Sequence, residues 1–451
     1  MTSVITSLFT SKQTTIAGYV EVMRRAEASL MAYARQFAPA PHRADEDFSM
    51  QLMDTPIPRS VLPLKNRSEA CQWMSCENND ENLIIHSIKV TSKENEDKNV
   101  TNQDSPPIVL LHGYMNGALY FYRNLLGLAS LTSKVSSAVH ALDLLGWGLS
   151  SRPKFALTDD TTETAEAFFV ESLEAWRKYH NIPKMILGGH SMGGYISIAY
   201  AEKYPSRVDR LILLSPAGVP KGDEKEFEER RKQFPWSTRL FISTVGMMWN
   251  FGITPSGFLR FLPSSRGRSA VSGYIERRLP TITDPEEREQ LIDYLYTNSI
   301  LPGSGEDCLN RFLKPMAFAK YPAVDRIPNL KVKNISFIYG QIDWMNPDGG
   351  LEAQRLCAEK HSRDEDAPNV DVLGVKNAGH LLMLENWQEF NSAVALSAGC
   401  KIPVDAPKPM FFNVNTNNNG KSFFAKPRFQ KERDYEAEKS ENTVTPSPAM
   451  D

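Results

Sequence analysis

The sequence predicts an α/β fold: a mostly parallel central sheet covered by helices on both faces, with a helical lid inserted late between core strands. Three observations predict it. Near-continuous apolar runs from Ile108 to Gly113, at Met185-Ile186-Leu187, from Arg210 to Pro216 and from Asn334 to Gly340 read as strands buried on both faces. Helical periods alternate with those runs, as a doubly covered parallel sheet requires. The alternation stops between Pro220 and Asn329, where helical sequence broken by Pro and Gly intervenes before the strands resume.

Taken in order, Met1 to Val20 is rich in Ser and Thr and has no acidic residue before Glu21. It reads equally as a mitochondrial transit segment or as a plain leader. Ile16 to Ala38 carries Val20, Met23, Leu30 and Met31 at helical spacing and predicts an amphipathic helix packed on the core. Leu83–Val90 predicts a strand, and the charged Ser92–Pro107 a long solvated loop. A strand at Ala138–Asp143 runs into Leu144–Pro153, where Asp143, Gly146 and Gly148 read as loop scaffold. Helices are predicted at Thr161–Tyr179, Tyr195–Lys203 and Leu381–Phe390, and a strand at Val370–Leu373. The lid holds Phe234, Trp236, Met247, Met248, Trp249 and Phe251 among Arg239, Arg260, Arg266 and Arg268. The expected organisation is a leader and amphipathic helix over 1–75, core over 76–219, lid over 220–329, core over 330–402 and a disordered tail over 403–451.

A chain of 451 residues, 41% hydrophobic, supports one large core with additions. A net charge of -3 gives no footprint for nucleic acid. The five cysteines are scattered, and Cys71 and Cys76 lack a second pair to complete a zinc site, so no metal and no organic cofactor is expected. No apolar run approaches the ~18 residues of a membrane span.

The chemistry centres on Gly189-His190-Ser191-Met192-Gly193, a glycine-flanked serine between a strand and a helix. Such a turn lifts a serine hydroxyl above the sheet and aims the amides of the next helix at it. Ser191 is therefore the expected nucleophile. Its base should follow a later strand, which selects His380 in Asn377-Ala378-Gly379-His380 over His361 in a charged run. The acid should follow the strand before that: Asp343, in Gly340-Gln341-Ile342-Asp343, with Asp348 as competitor. The oxyanion donors are expected to be the amides of Met192 and Tyr114, with Met115 as substitute and His112 orienting their loop. Gly146-Trp147-Gly148 lacks the third glycine of a dinucleotide site.

Several strings together carry a resemblance: His112-Gly113, Asp143-Leu144-Leu145-Gly146-Trp147-Gly148-Leu149-Ser150-Ser151-Arg152-Pro153, Gly189-His190-Ser191-Met192-Gly193-Gly194 and Tyr339-Gly340-Gln341-Ile342-Asp343-Trp344-Met345. Over roughly Tyr19 to Leu396 the chain resembles one subfamily of the α/β-hydrolase superfamily. That subfamily contains the fungal mitochondrial cardiolipin-specific deacylase, lysophosphatidic acid acyltransferases, and the α/β-hydrolase-domain 4 and 5 type. The resemblance implies a serine hydrolase acting on phospholipid acyl esters (cardiolipin or a lysophospholipid) as a peripheral protein of the mitochondrial inner membrane. The alternative addresses are cytoplasm and lipid-droplet surface. It also implies an acyltransferase alternative through a His-x-x-x-x-Asp motif, which here reads His380 to Glu385, with Glu in place of Asp. Two rivals remain: a prolyl aminopeptidase on the same fold, and a lipid-surface scaffold without activity.

Overall fold

The computed structural model describes residues 15–39, 44–65, 82–222, 254–362 and 366–412, with single positions at 232, 236, 239 and 243. Helix α1 (Ile16–Ala34) opens with Thr15, whose side chain accepts from the Gly18 amide, and buries Val20, Met23, Ala26, Leu30 and Met31. The predicted amphipathic helix thus packs on the core.

The strands are β1 (Phe48–Pro58), β2 (Asn82–Ser92), β3 (Ile108–Leu111), β4 (Val139–Leu142), β5 (Met185–His190), β6 (Val208–Leu214), β7 (Asn334–Gly340), β8 (Asn369–Val375) and β9 (Met410–Phe411). They form one sheet in the order β1-β2-β4-β3-β5-β6-β7-β8-β9. The pairs from β4 through β8 are parallel, and β1–β2, β2–β4 and β8–β9 are antiparallel. The chain winds outward both ways from β3, so loops after β3, β5, β7 and β8 meet at the carboxyl edge, where open α/β sheets bind ligands.

Beside four short helical turns (Ala44–Asp47, Lys93–Asp97, Leu309–Phe312 and Ala323–Arg326), the described helices after α1 are α2 (Leu125–Thr132), α3 (Thr162–Tyr179), α4 (Met192–Lys203), α5 (Pro255–Phe261), α6 (Ser264–Arg278), α7 (Pro285–Ile300), α8 (Asp348–His361), α9 (Leu382–Glu385) and α10 (Trp387–Ser397). Strand residues alternate between two apolar layers, as their period of two dictates. Val109, Leu111, Leu211, Leu213 and Phe337 pack with Phe168, Phe169 and Trp176 of α3. Ile108, Leu110, Ile212, Leu214 and Ile338 pack with α1, α2, α7 and α10.

Four expectations need correction. The core begins before residue 76: β1 is a full edge strand, disguised in sequence by its polar residues and by Pro56 and Pro58, which only an edge tolerates. The stretch after β2 is not all loop, because Ser92 caps a helical turn, Lys93–Asp97. The helix expected over Leu381–Phe390 breaks at Asn386, whose side chain caps α10. The segment 403–451 contributes β9, paired with Leu373 and Gly374. Of the large apolar residues named in the lid, Phe234, Met247, Met248, Trp249 and Phe251 lie outside the described residues, as do Cys71 and Cys76.

The described part of the lid segment is no loose cap. Glu287 of α7 forms a buried ion pair with Arg123 at 2.8 Å and accepts from the Tyr122 hydroxyl. The Arg123 guanidinium lies 4.9 Å over the Phe37 ring. Helix α7 is part of the core layer.

Candidate active site

Ser191 stands at the tip of the turn from β5 to α4 with φ 53° and ψ −114°. A left-handed serine costs roughly 1–3 kcal/mol and persists only when the surroundings over-determine it. They do: its amide donates to Leu214, and its carbonyl accepts from Gly194 and Ala217. The flanking glycines are needed for close approach. A Cβ on Gly189 would lie 2.2 Å from the Gly193 carbonyl oxygen, and one on Gly193 would lie 2.6 Å from those of Leu111 and His112.

His380 follows β8 and meets Asp343, which follows β7: Nδ1 lies 3.1 Å from Oδ1 and 3.4 Å from Oδ2. The Asp343 side chain is wholly buried and also accepts from the Met345 amide at 2.9 Å. Burial alone would raise its carboxyl. The facing His380, by charge and by hydrogen bond, outweighs burial and holds it below the ordinary carboxylate value. Asp348, the competitor, instead opens α8 and bonds Asn346.

Two residues without an assigned role position the His380 loop. Buried His190 donates from Nε2 to the His380 carbonyl at 2.8 Å, and the two rings lie 4.7 Å apart. Burial, with His380 adding to it, pushes His190 down to about 3, so it is a neutral donor throughout the physiological range. Glu385 accepts from the Gly379 amide at 2.9 Å.

The loop after β3 approaches from the other side. A Cβ on Gly113 would lie 3.1 Å from Ser191 Cβ, so Gly113-Tyr114 runs directly beside the serine. His112 is buried and accepts the Leu144 amide at Nε2, 3.0 Å, which leaves Nδ1–H to donate to the Gly113 carbonyl at 2.7 Å. Burial lowers its pKa and keeps that neutral tautomer. The Met192 amide is the first of α4 and has no acceptor within the helix. The Tyr114 amide meets no backbone acceptor among the described residues.

Asn298 of α7 fastens this loop, although nothing in the sequence assigned it a role. Its Nδ2 donates to the carbonyls of Met115 (3.1 Å) and Asn116 (2.8 Å), and its Oδ1 accepts from the Gly148 amide and Arg152, each at 2.8 Å. Asp143, read as scaffold, accepts from the Ala118 and Leu149 amides at 2.7 Å. Two of the lid arginines named above have protein partners. Arg260 grips Glu306, and Arg268 pairs with Asp293 and Glu289.

The family model described as alpha/beta hydrolase fold matches residues 106–386. The chain is 34% identical to a probable 1-acylglycerol-3-phosphate O-acyltransferase of Oryza sativa subsp. japonica, covering 70% of this chain and 70% of that protein. It is 30% identical to a (lyso)-N-acylphosphatidylethanolamine lipase of Homo sapiens, covering 64% of this chain and 78% of that one. Among solved structures, a bacterial membrane phospholipase A superposes with a TM-score of 0.50 at 17% identity, over 84% of this chain and 92% of that chain, a likeness of fold alone.

Proposed function

The chain belongs to the alpha/beta hydrolase fold family, and from that premise we propose that it is a serine hydrolase cleaving fatty acyl esters of phospholipids or lysophospholipids. One observation carries the reading: a strained Ser191 on its elbow, on a sheet edge shared with a histidine whose far nitrogen meets a buried carboxylate. Nothing in lipid binding calls for that combination. His380 takes the Ser191 proton as the hydroxyl attacks the acyl carbonyl, and Asp343 fixes the tautomer and balances the imidazolium. The amides of Met192 and Tyr114 receive the oxyanion, His380 protonates the departing lysolipid, and an acceptor then takes the acyl group from Ser191.

Water as acceptor gives hydrolysis, and the printed name of the lipase relative supports that arm. Lysophosphatidic acid as acceptor gives acyl transfer, which the printed name of the rice relative supports. Glu385 at the sixth place of the histidine motif serves its backbone bond to Gly379, so we rank hydrolysis first. We extend the reading to cardiolipin and a mitochondrial address on the resemblance and on the acid-poor, hydroxyl-rich N-terminus.

The test compares the protein with its Ser191→Ala variant on liposomes of cardiolipin, phosphatidylcholine and phosphatidylethanolamine. Lysolipid and fatty acid are followed by mass spectrometry, with and without lysophosphatidic acid and acyl-CoA. The variant is expected to keep its fold and lose at least ~10³-fold of the turnover. Equal turnover by both proteins would refute the assignment, and phosphatidic acid formed without fatty acid release would move it to acyl transfer.

A further inference from the structure

Helix α5 is amphipathic the wrong way round for a protein in water. Inward it turns Ser256 and Arg260, both bonded, beside Leu259, which packs on the core. Ser256 is 1% exposed, its amide donates to the Tyr114 hydroxyl at 3.2 Å, and its Oγ lies 3.1 Å from the same oxygen. Arg260, four residues on and so on the same face, donates to both carboxylate oxygens of Glu306 and to the Leu301 carbonyl. Thr254, the cap of the helix, donates to Glu306 as well. The opposite face carries Phe258 and Phe261, three apart, which are 48% and 81% exposed. Tight polar bonding on the inside holds two aromatic rings outward.

We propose that α5 is the lipid-docking element of this protein, and that its occupant is an anionic phospholipid surface; this rests on the acyl-ester reading above. Three observations select that occupant. Two aromatic side chains supply at most roughly 150–250 Å² each, far below the ~800 Å² per partner of a stable protein interface. Single rings on a short convex helix suit the headgroup–acyl boundary, where apolar tips insert and flanking cations meet anionic headgroups. The charge is of the matching sign: of the five arginines from Thr254 to Pro280, Arg260 and Arg268 are paired with carboxylates, while Arg266 and Arg278 are exposed, and the stretch holds one carboxylate, Glu276. Finally, the inner face of α5 touches Tyr114, whose backbone neighbour Gly113 borders Ser191. A bilayer seated on Phe258 and Phe261 therefore lies over the loop beside the nucleophile.

Full-length protein, a Phe258→Ser/Phe261→Ser variant and an Arg266→Glu/Arg278→Glu variant are floated with vesicles of phosphatidylcholine, alone or mixed with phosphatidylglycerol. All three are also assayed on a soluble short-chain p-nitrophenyl ester. The wild type is expected to prefer the anionic vesicles. The phenylalanine variant should lose at least ~tenfold in partitioning while its soluble-ester turnover stays within about twofold of wild type. The arginine variant should lose the anionic preference and keep weak binding to neutral vesicles. Unchanged flotation of the phenylalanine variant overturns the proposal, as does a dimer in gel filtration that this variant abolishes, since α5 would then be a self-association surface. Vesicle binding lost in the variant, with no soluble-ester turnover in any protein, keeps the docking element and removes the hydrolase reading.

Discussion

Replacing Asn298 by Ala tests whether the loop beside Ser191 is held by α7. The side chain makes four bonds, two of them to carbonyls of Met115 and Asn116 in that loop. It is 2% exposed, so water does not replace them. Arg152 keeps its bonds to Gly146 and Pro302, so three buried groups are left bare, the Met115 and Asn116 carbonyls and the Gly148 amide, at ~1–3 kcal/mol each, about 3–9 kcal/mol together. That is a large share of a stability of roughly 5–15 kcal/mol, so the melting point is measured beside kcat. Losing an oxyanion donor outright costs ~10²–10³ in kcat; here the Tyr114 donor is loosened rather than removed. We expect kcat on a soluble ester to fall about 10–100-fold with KM nearly unchanged. Asn298→Asp separates geometry from stability: it keeps an acceptor for Gly148 and Arg152 and turns a repulsive oxygen toward the two carbonyls. Its melting point should sit nearer wild type while kcat falls as far as in the Ala variant. If both variants keep kcat within about twofold of wild type, Asn298 is a structural residue and the clamp is refuted.

Three further outcomes follow from the site and the core. Asp343→Asn should keep the fold and lower kcat by ~10³-fold or more, because the His380 tautomer inverts; a loss below tenfold in steady-state turnover would return the acid role to another carboxylate. Glu385→Gln preserves an acceptor for Gly379 and should retain most of the turnover, whereas Glu385→Ala should lose about tenfold; equal losses would mean the charge itself acts. Stability should decline on the alkaline side through His86. Burial opposes its charge, but the hydrogen bonds it donates to Asp54 (2.6 Å) and Glu27 (2.8 Å) overcome it and raise His86 from 6.5 to about 10. Its contribution is therefore complete below 6.5 and drains as pH rises through about 10. Buried Tyr120 and Tyr294 add nothing to that decline until pH passes 10, their ordinary value. Urea midpoints measured from pH 7.5 to 10 should fall more steeply in wild type than in His86→Gln, which keeps only the decline that begins near pH 9 from the buried thiols of Cys308, Cys357 and Cys400, raised by burial; parallel curves would refute the assignment.

What was legible in the sequence depended on how locally each feature is encoded. Ser191, Asp343, His380 and Tyr114 each follow the end of a strand that the apolar pattern marks, and position relative to a strand made them the candidates. The choice of Asp343 over Asp348 rested on the glycine ending β7, and the contact to His380 runs through Asp343. Asn298 was invisible for the opposite reason. It lies on an ordinary polar face of a helix, and its partners are carbonyls some 180 residues away, which leave no mark on side-chain pattern. Edge strand β1 was hidden by its own adaptation to the edge, since the prolines that suppress further pairing also suppress the strand signal. His190 was read as part of the serine motif, whereas its ring does separate work on the His380 carbonyl.

The two sides of the site are wired to different parts of the molecule. His380 is held by Asp343, by His190 and, through Gly379, by Glu385, all on the sheet edge or in the segment that follows β8. The loop with Gly113 and Tyr114 is held instead by Asn298 of α7 and by Ser256 of α5, both from the inserted segment. The two holds meet at Arg123, which pairs with Glu287 of α7 and donates to the Leu384 carbonyl, the residue before Glu385. On the proposed mechanism, a movement of α5 reaches the oxyanion donor Tyr114 most directly, through Ser256. On that mechanism, a lid arranged in this way ties oxyanion stabilisation to contact with a lipid surface. The buried Arg123–Glu287 pair fixes α7 against the core, so α5 moves against a neighbour that is itself held.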